Sequence, residues 1–326
     1  MKELMNKLGA QQIPFLFVLD YELNNTFVVP INELDDSILF SFPSKPFLKT
    51  FDKLANEEIY FEKFPIALDT YARGFAKVVE QQKKGNSYLA NLTYPTPIKT
   101  NLSLKDIFLK SNAPYKLLFK DNFTVFSPES FVKIRDGIIS SYPMKGTIEA
   151  DLPNAREKIL SDYKEAAEHA TIVDLIRNDL SKIAKKVEVT KYRYLDLVDN
   201  FDKRLFQVSS EIVGNLAANY SANIGDIIYS LLPAGSISGA PKDKTIEIIR
   251  NAEIDSRGYY TGVFGVFDGV NLDSAVMIRF IENKAGRLMY RSGGGITANS
   301  ELITEYQEMI DKIYLPFIKE KVIREG

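Results

Sequence analysis

Four two-residue gaps constrain this chain more than any other feature: Asp121-Asn122, Asp136-Gly137, Asp268-Gly269 and Ala285-Gly286 each separate two short apolar runs. Such dipeptides accept the left-handed backbone that closes a hairpin, whereas parallel strands need a crossover of about a dozen residues or more. The sheets are therefore expected to be largely antiparallel. The runs PFLFVLD (14–20), TFVVP (26–30) and SILFSF (37–42) read as strands, as do 87–95, 115–120, 123–127, 131–135 and 138–143. Further strands are expected at Tyr259–Phe267, Asp273–Glu282 and Leu288–Ser292. Helical spacing marks Ile66–Lys84, stopped by Gly85-Asn86, then a long helix over Asn154–Lys185 and a terminal one from Ser300 to Lys321. Hairpins with interspersed helices give an α+β class and not a βαβ series.

Composition narrows the chemistry. A formal net charge of -2 leaves no excess of Lys and Arg to neutralise phosphates, which argues against a nucleic-acid binder. No apolar run reaches spanning length and Met1–Gln12 is too polar for a signal segment, so the cytoplasm is the expected location. With no cysteine and a single histidine, His169, the chain has no disulfide, no thiolate and no multi-histidine metal site. Any catalysis must use carboxylates, lysines, hydroxyls and backbone amides.

Three glycine-bearing segments and two carboxylate pairs carry the candidate site. In SSYPMKGTIEADLP, Lys145 stands where a strand is expected to run into a tight Gly146-Thr147 turn. A random lysine there is a hydrated surface cation. One crowded and held from bulk water could lose its proton and act as a nucleophile. Glu129, in Ser127-Pro-Glu-Ser, reaches the same mouth as a general acid only if the strands that follow it pair. Glu165 and Glu168 share one helix face, as do Glu305 and Glu308. An isolated E-x-x-E is more often a solvated face, but two converging pairs suit a hard cation such as Mg²⁺. Gly293-Gly294-Gly295 is expected to be a turn before the second pair, and Pro233–Lys242 to open a third helix. Exposed N–H groups at such places favour anions. His169 lies about 100° around the helix from Glu168, so it is expected to position the helix rather than to ligate.

Taken together, GNSYLANLTYPT, FSPESFV, YPMKGTIEA, EAAEHATIVDLIRNDL, LLPAGSISGAPKDKTIEII, GYYTGVFGVF, SAVMIRFIE and SGGGITANSELITEYQEMIDKI resemble the chorismate-utilising enzymes over roughly residues 66–318. That family includes anthranilate, aminodeoxychorismate, isochorismate and salicylate synthases. The resemblance implies two α/β subdomains around a central, largely antiparallel β-sandwich with flanking helices. It divides the chain into a short β-rich part, 1–65, and a catalytic domain, 66–326, of the same fold. It also implies Mg²⁺ on Glu168 and Glu308, with Glu165 and Glu305 completing the acidic set directly or through water. Tyr260 and Arg279 match the contacts to the enolpyruvyl carboxylate. Backbone amides around Gly146, Thr147, Gly293 and Gly295, with Lys312, complete the cradle for the substrate.

Within the family, lysine at 145 resembles aminodeoxychorismate synthase component I, where the position is otherwise alanine in anthranilate synthases. The resemblance implies that Lys145 attacks ring carbon 2 while Glu129 protonates the departing 4-hydroxyl, and that ammonia then enters at carbon 4. The water-activating lysine of the isochorismate and salicylate synthases appears as Leu89, which disfavours those reactions. Gln207 stands where a histidine tied to pyruvate elimination is usual. A class-I glutaminase needs a cysteine nucleophile, so the resemblance implies that a separate glutamine amidotransferase subunit supplies ammonia to chorismate bound here. Anthranilate synthase component I remains the enzymatic alternative, and a non-catalytic regulator that binds chorismate-like metabolites is the rival from another class.

Overall fold

The computed structural model describes residues 1–47, 59–200 and 203–317. Two sheets of nine and eight strands form its centre, and each strand pair among the described residues is antiparallel. The first runs Met144–Glu149, Lys203–Asn215, Ile138–Ser141, Ser130–Arg135, Leu272–Val276, Val263–Phe267, Phe15–Leu19 and Phe27–Pro30, with Lys185–Asn200 hairpinned onto Lys203–Asn215. The second runs Gly239–Ala240, Leu89–Thr100, Arg287–Ile296, Phe280–Lys284, Phe123–Ser127, Tyr115–Phe119 and Ile38–Ser41. All four gap dipeptides lie at antiparallel turns, for example Phe119↔Phe123 and Arg135↔Ile138.

Strand alternation explains why the sheets stack. In Phe15–Leu19, Leu16 and Val18 point into a core shared with Tyr115, Phe123, Val125 and Phe280 of the second sheet and with Phe42, which follows its edge strand. Phe15, Phe17 and Leu19 point the other way, toward helices Tyr163–Ser181 and Ile224–Leu231. The outer face of the second sheet is covered by Leu68–Lys83, Lys242–Ala252 and Leu302–Asp311 through Tyr71, Val78, Ile248 and Met309. The N-terminal residues are part of this sandwich, because Phe15–Leu19 pairs with Val263–Phe267 and Ile38–Ser41 with Tyr115–Phe119. No helix among the described residues is long and apolar enough to cross a membrane.

Four expectations change. The helix expected over Asn154–Lys185 is two, Ala155–Ser161 and Tyr163–Ser181, because Asp162 is extended and its side chain accepts from the Glu165 N–H as a cap. The strand expected over Asp273–Glu282 is also two, one in each sheet, so Met277–Arg279 crosses between the layers. Gly146 and Gly293–Gly295 are not in turns but inside strands Met144–Glu149 and Arg287–Ile296. The terminal helix ends at Asp311, with Pro316 disfavouring helix at Leu315; residues 318–321 of that expectation lie outside the described residues.

Candidate active site

An open cleft of about 670 Å³ lies where the two sheets meet at one end. Glu129, Lys145, Gly146, Thr147, Glu165, Glu168, Tyr260, Arg279, Gly293, Gly295, Glu305, Glu308 and Lys312 all line it. The volume suits a small organic ligand. Glu129 reaches it because the strand beginning at Ser130 pairs with Ile138–Ser141, which pairs with Lys203–Asn215, which in turn pairs with Met144–Glu149. The condition set by the sequence is met: Glu129 and Lys145 stand at ends of strands in one sheet.

A register shift between Met144 and Thr147 bulges the strand at Lys145-Gly146, and Gly146 has φ +84°. The bulge turns the Lys145 side chain into the cleft, where Nζ lies 2.8 Å from Glu168 Oε2. Burial pulls the amine down, but Glu168, with Glu165 and Glu308, outweighs it and holds Lys145 above the ordinary lysine range. In this arrangement Lys145 is an ammonium ion. On the facing wall Lys312 Nζ meets Glu308 Oε1 at 2.6 Å and the Gly293 carbonyl at 2.9 Å. Burial wins there, and Lys312 falls below the usual lysine range despite Glu308.

The triple glycine makes the floor between these walls. A Cβ on Gly294 would stand 3.4 Å from Glu308 and 3.6 Å from Glu305, and one on Gly295 would stand 3.3 Å from Lys145 Nζ. Bare backbone here lets charged side chains from helix Leu302–Asp311 with its C-cap and from strand Met144–Glu149 lie against one strand.

Helices Tyr163–Ser181 and Leu302–Asp311 thus present two carboxylate pairs to one cleft. This donor set is all oxygen, which fits a hard cation such as Mg²⁺. Among the described residues no three acidic, histidine or cysteine side chains form a ready ligand cage. An ion held by one or two of these carboxylates would keep several waters, as Mg²⁺ commonly does.

Burial pushes the Glu129 carboxyl above the ordinary range, partly offset by the Ser236 hydroxyl that donates to it at 2.5 Å and by Arg279, Lys145 and Lys312. A carboxyl held protonated can act as an acid. Tyr260 is pushed up to about 12 by burial, so its phenol stays a donor. Arg279 occupies the crossing between the sheets with φ +52°. Its guanidinium lies 5.4 Å from the Tyr314 ring centre and its Nε donates to Tyr314 Oη at 3.3 Å. No carboxylate pairs with it among the described residues, which leaves its charge for an anionic ligand.

His169 is buried off the cleft, with Nε2 2.7 Å from Ser210 Oγ, and burial lowers it to about 4. It is a neutral packing residue behind Glu168. Sequence reasoning missed Ser236, Asn91, Ser292 and Tyr314, which also line the cleft. Ser236 lies in the Pro233–Lys242 segment, where a serine among glycines carries no signal of its own beside the backbone amides. Gln207 lines the cleft too, opposite Thr147 in the ladder.

Residues 43–316 match the family model described as chorismate binding enzyme. The chain is 49% identical over 312 residues to an uncharacterised PabA-like protein of Pasteurella multocida, covering 95% of this chain and 96% of that one. It is 36% identical over 195 residues to aminodeoxychorismate synthase component 1 of Klebsiella aerogenes, covering 57% of this chain and 42% of that protein. Among solved structures, anthranilate synthase component I from Streptococcus pneumoniae superposes with a TM-score of 0.67 at 27% identity, over 80% of this chain and 60% of that one.

Proposed function

The chain belongs to the chorismate binding enzymes, a chorismate-utilising family, and from that premise we propose that it aminates chorismate at ring carbon 4. The products are 4-amino-4-deoxychorismate and water, and the chain acts as component I of an aminodeoxychorismate synthase. One observation carries the reading: an amine, Lys145, enters the cleft with an enclosed carboxyl, Glu129, on the same sheet. A reaction that only adds water, or only eliminates pyruvate, has no use for a nucleophilic amine at that place.

The cleft residues divide the work. Arg279 and the Tyr260 phenol take one substrate carboxylate, Arg279 by a bidentate grip that a lysine would not reproduce. Glu165, Glu168, Glu305 and Glu308 are the residues that would hold Mg²⁺, which when bound would supply positive charge for the ring carboxylate. Attack requires the free amine, so the Lys145 ammonium first gives one proton to water in the open cleft: burial favours that loss and the pairing with Glu168 opposes it. The Lys145 nitrogen bonds to carbon 2, the ring double bonds shift, and the carbon 4–oxygen bond breaks as Glu129 gives its proton to the departing oxygen. Ammonia then bonds to carbon 4 and the bond to Lys145 breaks, its electron pair returning to the amine. The proton shed by the new amino group goes back to Glu129. Enzyme groups end as they began.

Gln207 supports retention of the enolpyruvyl group, since an amide can hydrogen-bond but cannot titrate to act as an acid or a base. With no cysteine in its sequence, this chain cannot form a cysteinyl glutaminase, so ammonia is assigned to a separate amidotransferase subunit. Purified protein incubated with chorismate, Mg²⁺ and ammonium tests the proposal by mass spectrometry of the products. Aminodeoxychorismate is expected. Anthranilate as the main product would transfer the protein to the anthranilate synthases, and binding without turnover would support a regulatory role.

A further inference from the structure

Arg257 does not line the cleft, yet its guanidinium holds three residues that do. It is 1% exposed. Nη1 donates to the Ile237 carbonyl at 2.9 Å and to Thr261 Oγ1 at 3.4 Å, and Nη2 donates to the Asn91 carbonyl at 2.6 Å. Nε and Nη2 fork onto Glu253 at 3.0 and 2.6 Å. Glu253 also accepts from the Thr93 N–H at 3.0 Å and from its hydroxyl at 2.9 Å. The Tyr21 ring covers the guanidinium at 4.7 Å, and Glu22 accepts the N–H groups of Arg257 and Gly258 at 2.9 and 3.0 Å.

A buried ion pair is weak support for stability, because desolvation consumes most of the attraction. What a guanidinium does well is hold several oxygens at once, with five N–H groups in a fixed plane. Apart from Glu253, the residues held here belong to different parts of the cleft. Ile237 follows Ser236, whose hydroxyl bonds Glu129. Thr261 follows Tyr260 and has φ +61°, a backbone state that needs support from its surroundings. Asn91 is the ladder partner of Gly295, against which Lys145 Nζ lies.

We propose that Arg257, locked by Glu253, is a positioning residue of the chorismate cleft that sets Ser236 against Glu129. The proposal rests on chorismate reacting in this cleft and not on which product leaves it.

A double-mutant cycle tests this, with chorismate consumption as the rate and products identified in the same samples. Arg257→Lys keeps a positive charge for Glu253 but can satisfy only part of the fork. Ser236→Ala removes the hydroxyl through which the proposed effect reaches Glu129. Each single change is expected to lower kcat by roughly tenfold or more, with KM altered less. The double variant is expected to be little worse than the poorer single, because residues in one network do not add. If Arg257→Lys melts near the assay temperature, Glu253→Gln takes its place in the same cycle. Additive losses, or an unchanged kcat with a lowered melting temperature, would overturn the proposal by making the pair a packing element. A product other than aminodeoxychorismate would remove the amination reading while leaving the cycle interpretable.

Discussion

Lys145 can be tested for charge and for nucleophilicity separately. Lys145→Ala removes both the amine and the partner of Glu168. Lys145→Arg keeps the positive charge in a group that does not give up its proton. Loss of amination is expected in both, measured as aminodeoxychorismate formed with saturating ammonium; full activity in the arginine variant would reject covalent attack. Glu129 makes a pH prediction. Its folded-state pKa is raised, chiefly by burial, so the acid form persists to higher pH than in a free glutamate. The contribution of the Glu129 acid form is therefore expected to hold below that pKa and to be lost as pH rises through it, a basic limb set against the rise with pH that the free amine of Lys145 requires. The Ser236 hydroxyl stabilises the ionised form, so Ser236→Ala is expected to move this basic limb to higher pH while lowering the plateau. Glu129→Gln should cost ~10²–10⁴-fold in kcat, the usual worth of a general acid. Lys145 and Glu129 could be singled out in the sequence through the resemblance carried by YPMKGTIEA and FSPESFV, since a lone lysine or glutamate otherwise reads as a surface charge. Ser236 and Arg257 could not, since each acts through a partner more than a hundred positions away or through several main-chain oxygens at once.

Elements were legible by type and less so by boundary. Apolar spacing reads continuously from Asn154 to Lys185, yet one carboxylate, Asp162, ends one helix and caps the next. The break places the start of Tyr163–Ser181 so that Glu165 and Glu168 fall in its first turns. Alternation likewise cannot show that Met277–Arg279 changes sheets, because both halves of the run are buried. Glycine triplets are ambiguous in the same way: loop and close approach use the same residue. The strand setting gives a discriminating prediction. A Cβ on Gly293 would lie 2.3 Å from the Leu92 carbonyl, a backbone clash in the ladder, whereas one on Gly294 meets only side-chain ends at 3.4 Å and beyond. Gly293→Ala is expected to destabilise by about 1–3 kcal/mol, read as a lower midpoint in urea. Gly294→Ala is expected to keep the midpoint, because its methyl group would stand at ordinary contact distance from Glu308, Glu305 and Lys312. Equal midpoints for the two variants would contradict the ladder geometry.

At the scale of the molecule, the cleft depends on the spacing of the sandwich. The Tyr163–Ser181 helix packs on the outer face of the first sheet through Ile172, Val173 and Ile176. The Leu302–Asp311 helix packs on the second sheet through Met309. The carboxylates proposed to share one Mg²⁺ therefore ride on different layers, and what separates them is the aromatic core between the sheets. Phe264 lies in that core, fully buried, 5.1 Å from Phe42. Phe264→Ala should cost about 3–5 kcal/mol by loss of packing and by the cavity it leaves. Phe108, also fully buried, packs instead in the outer cluster with Leu104 and Ile107, away from the inter-sheet core. Phe108→Ala should cost a similar amount. The two variants are expected to differ in metal dependence. With the sheets free to settle, Phe264→Ala should need severalfold more Mg²⁺ for half-maximal chorismate turnover, whereas Phe108→Ala should keep the wild-type requirement at temperatures where both remain folded. The measurement is initial rate against Mg²⁺ concentration, beside melting curves for each variant. A shared shift would trace the effect to general stability, and no shift in either would mean that one helix alone supplies the ion's protein ligands.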